Sequence, residues 1–284
     1  MKRVGFVVHP AREAATDAAK RLGAWLEERD VEVRWFLGPA TEDMQVATGF
    51  AIGLDLIVSV GGDGTFLRAA HVASRTGCPI LGVKVGRVGF LTEVEPEGAP
   101  ALFERVMAGS AVIEERLAVV AESGRGAFEP QWALNEMMVE KRARHRLVRL
   151  AVFVDDVYVT TFSADGVIVA TPTGSTAYSF SAGGPIVTPT IPCLLVTPVA
   201  AHMVFDRTLV LGPQEHVMLE VVGEEPGLIS ADGRESLELP VGAQVRIGAA
   251  ARPAQVVRPE GAPSFHALVR AKFGLPGGDV GPAG

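Results

Sequence analysis

Between residues 54 and 73 the chain runs from Leu54-Asp55-Leu56-Ile57-Val58-Ser59-Val60 through Gly61-Gly62-Asp63-Gly64-Thr65 into Phe66-Leu67-Arg68-Ala69-Ala70-His71-Val72-Ala73. The first run is short, apolar and rich in β-branched residues, which predicts a strand buried on both faces of a parallel sheet. The third has helical propensity and apolar residues at helical spacing. A buried strand that feeds a helix through a glycine turn commits this region to an α/β fold, where ligands sit beyond the carboxyl ends of the strands. Such a corner suits an anion, because glycines let backbone N–H groups approach it closely and the helix dipole favours negative charge. An ordinary strand-to-helix turn also uses glycine, and Asp63 could serve only as a helix N-cap. Three glycines around an Asp and a Thr exceed what the turn needs.

The residues on either side of this turn extend the α/β pattern. Residues 1–8 read as a first strand, and residues 11–30 as a helix with Ala14, Ala18, Leu22, Trp25 and Leu26 on one side. A second strand follows at 31–36, Gly38-Pro39 breaks the chain, an irregular or helical piece reaches Gly53, and residues 78–83 read as a further strand. Strands alternating with helices imply right-handed parallel crossovers and an open, mostly parallel sheet.

Beyond Pro96-Glu97-Gly98-Ala99-Pro100 the pattern changes. One helix at 101–108 precedes strand-like stretches at 111–122, 133–141, 149–154, 166–170, 194–197, 216–222 and 244–247, separated by Gly, Pro and Asp turns. The expected organisation is an α/β domain over residues 1–108 and a mostly-β domain over 109–262, with the active site between them. Residues 263–284 read as a helix that packs back on the first domain, then a Gly/Pro-rich tail.

Composition narrows the classes of function. With 26 Lys+Arg against 33 Asp+Glu the chain is acidic, and its densest basic stretch, Lys141-Arg142-Ala143-Arg144-His145-Arg146, reads as a local anion patch rather than a nucleic-acid surface. Cys78 and Cys193 are far apart, with no His or Cys at ligand spacing, so no disulfide framework or zinc site is expected and a reducing cytoplasm fits. The uncharged residues 166–205 carry Pro172, Pro185, Pro189, Pro192 and Pro198, too many for a spanning helix, so no membrane segment is expected.

The second half adds more specific chemistry. Asp165-Gly166 opens a buried strand that runs into Thr171-Pro172-Thr173-Gly174-Ser175-Thr176-Ala177-Tyr178-Ser179. These hydroxyls can hydrogen-bond a base or ribose while Tyr178 offers a ring for stacking, although a Ser/Thr-rich turn with a core tyrosine reads equally well from residue types alone. Asn135-Glu136 pairs an amide with a carboxylate, but adjacent strand residues face opposite ways unless the chain bends there.

Together these stretches resemble the NAD kinase family. The resemblance rests on Gly61 to Leu67, on Val88-Gly89-Phe90-Leu91-Thr92-Glu93, on Leu134-Asn135-Glu136, on Asp165 through Pro185, and on Asp232-Gly233. The Gly-Gly-Asp-Gly turn alone is shared with lipid kinases and phosphofructokinases; residues 171–185 narrow it to NAD. It implies transfer of the γ-phosphoryl of ATP, or of another phosphate donor, to the 2′-hydroxyl of the adenosine ribose of NAD, giving NADP. It also implies Mg²⁺ or another divalent cation with ATP, and a cytoplasmic homodimer or homotetramer that engages neither nucleic acid nor membrane.

By the same resemblance Asp63 is the catalytic residue, taking or orienting the hydroxyl proton. Gly61, Gly62, Gly64 and Thr65 face phosphates, which Arg68 also reaches. Asn135 and Glu136 hold the adenosine. Asp165, Thr173, Thr176, Ala177, Tyr178, Ser179, Ser181, Ala200 and Asp232 belong to the NAD site, and Arg146 comes from a loop that a neighbouring subunit could contribute. No protein metal ligand is assigned. Lys84, Lys141, Ser163 and the triplet Ala201-His202-Met203 depart from the family pattern. A lipid kinase would share the glycine turn without needing the hydroxyl cluster, and a non-catalytic NAD sensor would not need both Asp63 and Glu136.

Overall fold

The computed structural model describes residues 1–36, 44–86, 89–124, 128–201, 205–234 and 236–276. The Gly38-Pro39 break, Val88, His202-Met203 and the tail from residue 277 lie outside the described residues. In chain order the first half contains β1 (Arg3–Val8), α1 (Glu13–Glu27), β2 (Glu32–Phe36), α2 (Met44–Ala51), β3 (Leu56–Gly61), α3 (Asp63–Ala73), β4 (Ile80–Lys84), α4 (Ala99–Met107) and β5 (Val112–Arg116). Then come β6 (Val119–Ser123), β7 (Gln131–Ala133), β8 (Glu136–Lys141), β9 (Val148–Val154), β10 (Val157–Ala164), β11 (Gly166–Ala170), the one-turn α5 (Tyr178–Ser181) and β12 (Leu194–Val199). The chain closes with β13 (Leu209–Leu211), β14 (Val217–Val222), β15 (Gly227–Ala231), β16 (Leu237–Leu239), β17 (Gln244–Ala249), β18 (Ala254–Arg258) and α6 (Phe265–Phe273).

The first sheet has the order β2-β1-β3-β4-β18-β5. Strands β1 to β4 pair in parallel, and β3 is buried at every residue, as its unbroken apolar run requires. Helix α1 packs by Ala15, Ala18, Ala19, Leu22 and Leu26; Ala14, expected on that face, is exposed because the stripe starts one residue later. Each large side chain buried in this way, Phe6 or Phe66 for instance, contributes on the order of 1.5–3 kcal/mol.

One feature departs from the sequence reading. Residues 112–116 and 254–258, expected in the β-rich part, complete the first sheet: β18 pairs in parallel with β4 and antiparallel with β5. A single strand-like stretch at 111–122 hides the exchange, since Leu117-Ala118 is where the chain leaves one sheet and enters the next.

The β-rich part consists of two antiparallel sheets, β10-β9-β14-β17-β6-β7 and β13-β12-β11-β8-β15-β16. Their facing residues, among them Met137, Val139, Leu150, Phe162, Val167, Val169, Val196, Leu219 and Ile247, form one buried cluster. Among the described residues no helix is long and apolar enough to cross a membrane.

Candidate active site

Strand β3 ends at Gly61, and Gly62 in extended geometry turns the chain into α3, whose first residue is Asp63. The Asp63 side chain does not cap its helix. It reaches the loop after β4, where Oδ2 accepts the Phe90 N–H at 2.9 Å and Oδ1 accepts the Leu91 N–H at 3.1 Å and the Thr92 hydroxyl at 3.3 Å. Three donors from successive residues hold the carboxylate in one orientation. Gly89 makes the approach possible, because a Cβ there would lie 1.9 Å from Asp63 Oδ1. Gly62 and Gly64 behave differently: a Cβ on either meets open space, so nothing in the chain itself excludes a side chain there. Gly61 serves packing, with Thr65 Oγ1 2.4 Å from where its Cβ would stand.

Asn135 and Glu136 lie at a bend. The expected single strand over 133–141 is broken between β7 and β8, so Asn135 stands in the break and Glu136 opens β8. Asp232 makes the bend. Held at φ 50° after β15, it accepts the N–H groups of Leu134 (2.8 Å), Asn135 (2.8 Å) and Glu136 (3.2 Å). From the other side, Thr171 donates its hydroxyl to the Leu134 carbonyl and its N–H to the Asn135 carbonyl. Leu134 itself is buried with Phe66 and Leu91 in the apolar cluster under α3, which brings the bend to the Asp63 helix.

Asn135 and Glu136 are both buried, and Asn135 Oδ1 and Glu136 Oε2 accept no hydrogen bond from the chain. Buried orphan acceptors are costly unless a ligand supplies the donors. Burial, and after it the Asp232 charge, raises the Glu136 carboxyl from 4.5 to about 8. The folded protein therefore keeps a proton that the unfolded chain releases above about pH 4.5. The stability this gives is fully present below that pH and is lost as pH rises through 8. The ligand-free protein should lose thermal stability between roughly pH 5 and pH 8, and Glu136→Gln, which imitates the protonated acid, should flatten that decline. An unchanged slope in the variant, followed by calorimetry, removes Glu136 as its source.

The hydroxyl segment leaves β11 as a tight turn. Gly174 is required there, since a Cβ would lie 2.2 Å from the Asn135 carbonyl oxygen. Thr173 is buried, 3.5 Å from Arg116 Nη1. Tyr178, Phe180 and Ser181 are exposed and Thr176 and Ala177 half-buried, whereas Ser179 is buried and shares a hydrogen bond with Thr197. Ser179 and Asp232, both expected at the NAD site, have polar atoms engaged by the chain: one bonds across to β12, the other shapes the Asn135 bend. A cavity of about 290 Å³ lies between Phe90 and Leu91 on one side and Thr173 and Thr176 on the other, with α6 as its outer wall. Phe273 of α6 places its ring 6.2 Å from Phe90 and 4.7 Å from Phe180, touching both halves.

The remaining expected residues stand further out. Arg68 is half-buried on α3 and Ala200 is exposed beyond β12, with φ 49°. Asp165 pairs with Lys141 at 2.5 Å, so the family departure at 141 leaves that carboxylate partnered. Lys84 pairs with Glu95. Arg146 is exposed in the β8–β9 connection, 3.5 Å from Glu225, and no described contact joins it to Asp63 or Glu136. Sequence reasoning gave no role to Gly89, Thr92 or Arg116. A glycine and a hydroxyl inside Val88-Gly89-Phe90-Leu91-Thr92 were the available signal for the first two.

The chain matches the family model described as the ATP-NAD kinase N-terminal domain over residues 42–111 and the ATP-NAD kinase C-terminal domain over residues 134–259. It is 39% identical to the NAD kinase of Rhodococcus erythropolis, over 97% of this chain and 94% of that one. It is 37% identical to the NAD kinase of Mycobacterium tuberculosis, over 97% and 96%. Among solved structures, an NAD kinase from Archaeoglobus fulgidus in complex with ATP aligns with a TM-score of 0.75 and 29% identity, covering 96% of this chain and 97% of that one. Yeast NADH kinase complexed with NADH shares the fold, with a TM-score of 0.83 at 24% identity over 97% of this chain and 87% of that one. By its sequence over nearly its whole length, this chain belongs to the NAD kinase family.

Proposed function

We propose that α3, the Asn135 bend and the hydroxyl segment together hold the adenosine of NAD and direct its 2′-hydroxyl to the γ-phosphoryl of ATP, making NADP. The observation that carries this reading is the pair of orphan acceptors, Asn135 Oδ1 and Glu136 Oε2, beside the helix that starts at Asp63. They need donors, and a ribose with its base provides them. Asp63 accepts the proton of the attacking hydroxyl or orients it. The open faces of Gly62 and Gly64, at the amino end of α3, suit phosphate oxygens. Tyr178 and Thr176 contact the NAD beyond its adenosine.

Phosphoryl transfer asks mainly for positioning and charge neutralisation. A divalent cation would be held with the donor's phosphates and water, where it would neutralise charge on the transferring group. We assign Mg²⁺ to that role, the cytoplasm as the compartment, and a homodimer or homotetramer as the assembly, in which Arg146 reaches a neighbouring copy's site.

A coupled assay with NAD, ATP and Mg²⁺ tests the reading: NADP should accumulate in proportion to enzyme. Binding of NAD without product at any phosphate donor would favour a sensor, and phosphorylation of a lipid hydroxyl in its place would favour a lipid kinase.

A further inference from the structure

The two parts of this site belong to different halves of the molecule, Asp63 to the first sheet's helix and Asn135-Glu136 to the β-rich part. One side chain touches the supports of both. Arg234, half-buried two residues after Asp232, donates Nε–H to the Ala231 carbonyl at 3.0 Å and an Nη2–H to the Trp132 carbonyl. Its Nη1 lies 2.8 Å from Nδ1 and 2.9 Å from Nε2 of His71, in the last turn of α3. His71 is buried, and burial together with the charges of Arg234 and Arg75 pushes its ring down to about 3, so it stays neutral, with one unprotonated ring nitrogen to accept from Nη1. Trp132 lies just before the bend, and Ala231 precedes the aspartate that makes it. One planar guanidinium thus fixes three things: the far end of the Asp63 helix, the strand leading into Asn135, and the turn that presents Asp232.

We infer that Arg234 is a positioning residue that sets the helix bearing Asp63 at its working distance from Asn135 and Glu136. The inference rests on the functional reading above. A fork is required because its donors point along different directions in one plane; the ammonium of a lysine acts from a single point. Displacement of one reacting group by about 1 Å costs on the order of 10²-fold in rate, so a small rotation of α3 suffices to be felt.

The test compares the parent chain with Arg234→Met, Arg234→Lys and His71→Leu, alone and with Arg234→Met combined with His71→Leu. Calorimetry gives the folded fraction, NADP formation gives kcat and KM, and hydrogen exchange gives local protection. Per folded molecule, kcat should fall at least about tenfold in Arg234→Met, with KM for NAD changed less, and Arg234→Lys should recover only part of it. The double variant should be no worse than the poorer single one, because the two residues act as a unit. Amides of residues 63–73 and 134–136 should lose protection together. Parent-like kcat in Arg234→Met, additive losses, or loosening confined to residues 231–234 would each overturn the inference. Absence of NADP from the parent would instead refute the functional reading, and the exchange pattern would still decide whether Arg234 couples the two supports.

Discussion

Asp63→Asn is expected to lower kcat for NADP formation by about 10²- to 10⁴-fold while leaving NAD affinity within a few-fold of the parent. The loss has two sources that separate in measurement. An amide has no carboxylate to accept or orient the ribose proton, which removes the chemical role. It also keeps only one oxygen where the carboxylate serves the Phe90 N–H, the Leu91 N–H and the Thr92 hydroxyl. One backbone donor must then face the new NH₂ group or go unpaired, at a cost of roughly 1–3 kcal/mol of stability. Titration calorimetry with NAD and a thermal melt report the structural part, and turnover per folded molecule reports the rest. Turnover near that of the parent would remove Asp63 from the mechanism.

Gly89→Ala should be nearly as damaging without removing any group that does chemistry. The added methyl carbon would stand 1.9 Å from Asp63 Oδ1 and 2.5 Å from its Cγ, so either the carboxylate or the 89–92 loop must move by more than 1 Å. Positional tolerance at a reacting group is smaller than that, and kcat/KM should fall by at least about 10²-fold. A crystal structure of the variant should show the Asp63 carboxylate rotated away from the Phe90 and Leu91 N–H groups. Full activity together with an undisturbed carboxylate would mean that the loop yields freely and that its hydrogen bonds do not set the catalytic geometry.

The local parts of this site could be read from local sequence. A buried apolar strand, a glycine turn and a helix start lie within twenty residues, and the first sheet follows from the alternation that surrounds them. The bend at Leu134-Asn135 was not legible, because its cause is distant: Asp232 supplies the acceptor and Thr171 the second brace. For the same reason the hydroxyl segment looked uniform in sequence, yet its members divide between the surface and the interior. Ser179 turns inward to Thr197, whose partner strand no pattern within residues 171–181 could name. The helix at the end of the chain was visible, but its contact with both Phe90 and Phe180 depends on where the two halves sit. The Asp63 clamp was half legible: the glycine and hydroxyl were in view, but not the carboxylate they serve.

The placement of β18 between β4 and β5 has a consequence for how the molecule is made. The strand beside β4 is not synthesised until the whole β-rich part has been translated. Until then the edge of β4 away from β3 is held by the bridge of Val94 to Val83 and is otherwise open to mispairing. The sheet that carries Asp63 is thus completed by a strand made after the whole β-rich part, and a chain truncated before residue 254 would emerge with Asp63 on an open sheet.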